Sequence, residues 1–236
     1  MKTSRQHGLA LTEIMLGTAI VALLAYTAAP LLVRSLDDRA SKATADDFGI
    51  FQAAAEAHFK ANRSAYESAM SDGTGAANLC KVGVDPTDGS GGLQANNTTL
   101  HTCAVDAKML RFLQALPIQV HENNRYGEQW VAIFKQVYTT VAPIAPTGGV
   151  EMLVVSAQVT GTPSVVAADP RRFSEAVNAA DFTGGSGGFI PDADRSTCVV
   201  SKSTSIYQAC GNGWKVNLAD FISPAELGTF SNRVTN

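Results

Sequence analysis

A single carboxylate, Glu13, stands immediately before an uncharged, largely apolar run from Ile14 to Val33. An ionised side chain at the centre of a membrane helix costs roughly 2.5 to 3.5 kcal/mol, so a charge kept at the edge of such a run is usually reserved for a partner. The competing reading is a simple anchor whose Glu lies at the polar interface. Four cysteines, Cys80, Cys103, Cys198 and Cys210, form two sequence-local pairs. Outside the cytoplasm their natural chemistry is two disulfides, and of the three possible pairings local closure favours Cys80 with Cys103 and Cys198 with Cys210. Cys80, His101 and His121 are the nearest approach to a zinc set, but no CxxC or HxxxH spacing supports one, so no metal or other cofactor is expected. None of the four histidines (His7, His58, His101, His121) pairs with a Ser or Cys in a nucleophile motif, and the chain is not expected to be an enzyme. Asp37-Asp38 and Asp46-Asp47 belong to a solvated helix face, and the Asp85 to Asp88 region is too loosely patterned for a calcium loop.

These groups must be positioned by a long helix and a mixed head. At 1.5 Å per residue the Ile14–Val33 run spans about 30 Å, the thickness of a bilayer core. Lys2 and Arg5 precede it and should stay cytoplasmic, which places the bulk of the chain outside the cytoplasm, although Arg34 on the far side weakens the asymmetry. From Arg34 to about Glu67 there is no Pro, and Phe48, Phe51, Ala55, Phe59 and Tyr66 recur mostly at three- and four-residue spacing. That is one apolar stripe, opposite a polar face with Asp37, Asp38, Lys42, Asp46 and Lys60. The two halves predict one continuous helix of roughly 85 to 90 Å.

Ser71-Asp72-Gly73-Thr74-Gly75 should end that helix. The segment from Cys80 to Cys103 is so rich in Gly, Asp, Asn and Thr that it is expected not to order itself, and a disulfide clamp over it would contribute about 3 kcal/mol. Asp106 to Leu116 reads as a short helix ended by Pro117. Gln129 to Thr140 and Val150 to Val159 read as neighbouring antiparallel strands, and a further helix opens at Asp169-Pro170 and runs to about Ala180. The glycines between Thr183 and Gly188 are a flexible turn, since a phosphate loop would need a strand before and a helix after. Thr197–Val200, Ile206–Cys210 and Trp214–Leu218 are the last strands, the first two stapled by a disulfide.

Composition narrows the class. The 236 residues carry a net charge of -3, with 17% charged residues and 20 Gly. No basic footprint for nucleic acid exists, and the balance is that of a secreted, loop-rich surface protein.

The N-terminal residues carry a resemblance. Gly8 after a short basic leader, a hydrophobic Leu9, Glu13 as the fifth residue after that Gly, and about twenty apolar residues together resemble the class III signal of type IV prepilins and pseudopilins. The resemblance implies cutting by prepilin peptidase between Gly8 and Leu9, methylation of the new amine, and retention of the apolar segment. Glu13 would then neutralise the N-terminal amine of a neighbouring subunit. Pro30 fits too, since many pilins bend or melt their long helix in this region. Gly187-Gly188-Phe189-Ile190, Gly213-Trp214 and Leu218-Ala219-Asp220-Phe221 are similar to the end of the constant region of shufflon-type minor pilins of type IVb conjugative pili, in which a variable adhesive segment follows that region.

The expected fold is therefore α+β and pilin-like: a long N-terminal helix packed on a mainly antiparallel head with short helices. Residues 1–8 would be the leader, 9–70 the helix (9–33 in the membrane or filament core), 71–190 the α/β head and 191–236 a disulfide-stapled β region. The function implied is a minor pilin of a type IV pilus, its partners being prepilin peptidase, other pilin subunits, the inner membrane before assembly and a recipient-cell or host surface. It would leave a single-pass inner-membrane state, with its N-terminus cytoplasmic, for an extracellular pilus. A major pilin, a type II secretion pseudopilin, and a membrane-anchored binding or hydrolytic domain are the alternatives.

Overall fold

The computed structural model describes residues 7–124, 128–157, 188–189, 200–201, 206–211 and 214–222; at 7–14, 16–21, 23–25, 31 and 37 of the first helix, and at 157, 188–189, 200–201 and 206–207 in strands, it describes the backbone alone. The architecture is α+β, and every strand pairing among the described residues is antiparallel.

Helix α1 spans His7–Ala61, 55 residues, or roughly 80 Å. It runs on through Pro30 without melting, although the proline ring removes the donor that the Tyr26 carbonyl would otherwise accept from. Among the described residues no helix is long and apolar enough to cross a membrane. The expected single helix to residue 70 is broken once. At Asn62 the backbone N–H is shared between the His58 and Phe59 carbonyls, while the side-chain amide also donates to the His58 carbonyl. Asn competes in this way with the regular ladder, and helix α2, Arg63–Ser71, starts anew. A short α3, Ala76–Leu79, follows.

The segment between Cys80 and Cys103 is ordered, which corrects the sequence expectation. Strands β1 (Lys81–Val84) and β2 (Gly91–Gln94) form a hairpin, and β3 (Asn96–Asn97) joins β4 (Thr102–Asp106). Low overall hydrophobicity hid the alternation in which Val82 and Val84 are buried. Gly92, at φ 74°, lets the backbone approach Val82 and Val84 more closely than any Cβ would allow. The Cys80–Cys103 disulfide ties α3 to β4, and both cysteines are fully buried.

Helix α4 is shorter than expected, Ala107–Phe112, because Gln114 turns into the left-handed region at φ 59°. Leu116 is nonetheless buried. Strands β5 (Gln129–Tyr138) and β6 (Pro146–Ala157) form the long hairpin, with β6 opening earlier than residue 150, and the sheet order is β3-β4-β5-β6. Gln129 to Phe134 are buried without interruption because β5 is covered on both faces. On one face Phe134, Ala132, Trp130 and Cys103 pack against Phe51, Ala55 and Phe59 of α1 and Tyr66 and Met70 of α2. On the other, Val131 and Ile133 pack with Ala209, Leu218, Phe221 and Ile222. That second cover comes from the C-terminal strands β7 (Gly188–Phe189), β8 (Val200–Ser201), β9 (Ile206–Gly211) and β10 (Trp214–Asn217), where β7, β8 and β10 all pair with β9. Strand β10 stops at Asn217, whose side chain accepts from the Ala219 N–H and caps a 3-10 turn, Leu218–Asp220. Cys210 is disulfide-bonded. Cys198, the helix expected at 169–180 and the glycine turn at 183–187 lie outside the described residues.

Candidate assembly site

The stripe read from the sequence is the surface by which α1 holds the head. Phe51 and Ala55 are fully buried and Phe59 nearly so. Phe48 meets Trp130 edge-on at 5.5 Å, and Phe59 stacks on Phe134 at 4.8 Å. Tyr66, on α2, closes the cluster against Phe59 and Phe134 and shares a 3.0 Å hydrogen bond with His58 Nδ1. Burial holds the Tyr66 phenol above and the His58 imidazole below their ordinary values. Lys42, Lys60, Asp38 and Asp46 lie on the exposed side.

Towards the N-terminus the helix leaves the head. Ser41 and Ala45 are the first buried side chains described along α1. Before them, Met15 is 65% exposed, Tyr26 82%, Leu32 62%, Val33 54% and Leu36 62%. The stretch from His7 to Ala40 therefore extends for about 50 Å beyond these first buried positions, and among its described side chains Tyr26, Leu32, Val33 and Leu36 are apolar and exposed. Gly8, Leu9 and Glu13 lie in its first two turns, with only their backbones described, and Pro30 lies exposed along it. Among the described residues, none of these is brought to Cys80, Cys103 or Cys210.

The head's orientation on α1 follows from the ring contacts. Strand β5 begins beside Phe48 and passes Phe59, so it runs in the same direction as α1. Arg63 of α2 donates to the Gly148 carbonyl. The turn between β5 and β6 consequently lies at the pole of the head farthest from the projecting helix. All residues from Thr139 to Gly149 are exposed, and Val141 and Ile144 are among the most exposed large apolar side chains described.

Titratable groups elsewhere have structural partners. Asp106 is fully buried, caps α4 through the Met109 N–H at 2.8 Å and accepts the Gly83 N–H at 2.6 Å. Turned over so that its nitrogen faces Asp106 at 2.9 Å and its oxygen faces Lys108 Nζ at 3.2 Å, the orientation that satisfies both neighbours, the Gln129 amide supplies a further donor. Burial outweighs these donors and pushes the Asp106 carboxyl up to about 6. Burial also raises Asp47, opposed by nearby His121 and reinforced by Asp46. Asp85 is held below the usual carboxylate range by the Thr87 hydroxyl and N–H, both of which donate to its Oδ1 within the turn. Among the described residues no group of three His, Cys, Asp or Glu could hold a metal, and Cys80 is committed to its disulfide. A shallow depression lined by Arg111, Val120, His121 and Glu122 offers no free cation, because the Arg111 guanidinium is engaged by Glu122 and the Val120 carbonyl.

The residues behind the second resemblance converge. Gly188-Phe189 pairs with Gly211 and Cys210, Trp214 pairs with Gly211, and Leu218 and Phe221 are buried beneath them. Ile190 and Gly213 lie outside the described residues. Sequence reasoning missed the exposed face of α1 around Leu36 and the apolar turn at residues 139–145. The signals were present: Leu32, Val33 and Leu36 at three- and four-residue spacing, and no charge between Lys135 and Glu151. In comparisons with protein families, curated proteins and solved structures, the chain matches none.

Proposed function

We propose that this chain is a type IV prepilin-like subunit, a minor pilin that is processed at its short leader and assembled through its N-terminal helix. The observation that carries the reading is the projecting half of α1: a helix that leaves its own head at Ser41 and exposes Met15, Tyr26, Leu32, Val33 and Leu36. Such a surface requires lipid or protein around it. A bilayer would hold it before assembly and neighbouring subunits would hold it afterwards, with Gly17, Ala19, Ala22, Ala25, Ala28 and Ala29 allowing close helix approach. Prepilin peptidase would cut between Gly8 and Leu9 on the cytoplasmic side. Glu13 would then pair with the new amine of a neighbour and set axial register, which gives an otherwise costly charge a partner. The head would lie on the filament surface and carry whatever contact the pilus makes with a recipient cell or host.

Replacing Glu13 by Ala tests the register role. The expected outcome is a processed protein that stays in the membrane fraction and is depleted from sheared filaments. Wild-type incorporation of Glu13→Ala would remove Glu13 from the account.

A further inference from the structure

From the meeting of three side chains inside the head, we propose that Lys108 and Gln129 become joined by an amide bond between their side chains, formed in the folded chain with loss of ammonia and with Asp106 carrying the proton. This chemistry belongs to the head and does not depend on the filament reading.

Three elements deliver the groups to one point. Asp106 ends β4 and its carboxyl caps α4, which places Lys108 at the second residue of that helix. Asp106 pairs with Val131 across the sheet, so Gln129, two residues before Val131 on β5, is its diagonal neighbour on the same face. That face is apolar, with Ala104, Val131 and Ile133 buried together with Val82. Asp106 is fully buried and Gln129 only 6% exposed, whereas Lys108 is half-buried. The Gln129 amide bridges the other two, one of its polar atoms 2.9 Å from Asp106 Oδ2 and the other 3.2 Å from Lys108 Nζ.

That bridge fits two proton arrangements. With a carboxylate and an ammonium, the amide nitrogen faces Asp106 and the amide oxygen faces Lys108. With a neutral acid and a free amine, the amide turned the other way serves both groups: the Asp106 O–H donates to the amide oxygen and the amide nitrogen donates to the amine. Burial, reinforced by Glu122, favours the neutral acid, against the Gly83 and Met109 N–H groups and the Lys108 charge.

The neutral arrangement is the reactive one. An acid on the carbonyl oxygen makes Cδ of Gln129 electrophilic, and an amine held against the same amide attacks without an entropic search. Lys108 Nζ forms a bond to Cδ and gives up one proton, and Asp106 passes a proton to Nε2 as the Cδ–Nε2 bond breaks. Ammonia departs, Asp106 ends as it began, and nothing is oxidised or reduced. A primary amide is a poor acyl donor in water. The step therefore depends on burial, which keeps water from the carbonyl and strengthens the hydrogen bond of the acid. The bond would fasten the loop that carries the Arg111–Glu122 depression to the sheet.

The test is peptide mapping by mass of the full-length chain recovered from its native host, fully reduced and denatured before digestion. The expected result is a branched peptide joining Lys108 to Gln129, lighter by one ammonia than its two arms together. Lys108→Arg keeps the charge but offers no nucleophilic amine. It is expected to show unchanged near-UV circular dichroism and to give only linear peptides of full mass. Wild-type chain that yields only linear peptides, with Gln129 and Lys108 unmodified, would overturn the proposal. So would a branched peptide at Gln129 that persists in Lys108→Arg, or one that joins Lys108 to a different residue.

Discussion

Asp106 shows how one side chain joins three elements. Its two oxygens take backbone N–H groups from Gly83 in β1 and Met109 in α4, and its own backbone sits at the end of β4. Burial raises its folded-state pKa to about 6 against an ordinary 3.8. The sign follows from linkage. The folded state holds a proton that the unfolded chain has already released, so this residue's contribution is greatest below pH 4 and falls as pH rises towards 6. The full change is of order 3 kcal/mol. Comparing unfolding of wild type and Asp106→Asn at pH 4 and pH 6.5 should show a difference that shifts in favour of the variant as pH rises. A constant difference would contradict the assignment. The position was legible in the sequence as a helix start, but its second bond, across 23 residues to Gly83, was not.

At the scale of elements, the strength of the α1–head junction lies in the aromatic stripe. Phe59 lies between Phe134 and Tyr66, at centroid distances of 4.8 and 5.4 Å. Phe59→Ala should cost about 3 to 5 kcal/mol by removing a large core side chain. Lys60→Ala, next to it but exposed and paired only with Glu56, should cost under about 0.5 kcal/mol. Denaturation in urea, followed by Trp130 fluorescence, separates the two, and equal effects would contradict the packing. This stripe was readable because a half-buried helix writes its 3.6-residue period into the sequence over several turns. The hairpin of β1 and β2 was not readable. Each strand has only four residues, and the turn residues around them dominate any window of composition. The helix break at Asn62 escaped notice for a related reason, since Asn is only mildly unfavourable in a helix and its side-chain bond to His58 appears only in three dimensions. The strand β5 was found from its β-branched and aromatic content, whereas its double burial depended on C-terminal strands some 70 to 90 residues away, which no local pattern specifies.

At the scale of the whole molecule, the chain separates into a head with two packed faces and a helix that projects beyond it. Among the described residues, α1, α2 and α4 cover one face of the four-stranded sheet and the C-terminal strands cover the other. The described large apolar side chains of the projecting helix are exposed, and Met15, Tyr26, Leu32 and Val33 belong in the sequence to the run that follows Gly8 and Glu13. On the proposed reading, Gly8 would end a short leader, Glu13 would stand at the fifth position after it, and the exposed apolar residues of α1 would follow, three features that a processed, self-assembling subunit would use together. A permanently anchored domain needs only the last. The two readings diverge at the N-terminus of the mature chain. The most direct measurement is therefore the intact mass and N-terminal sequence of the protein recovered from its native host, in membrane and sheared surface fractions. The account predicts a chain that begins at Leu9, carries one added methyl group and is present in the sheared fraction. A chain that still begins at Met1 and stays in the membrane would contradict it.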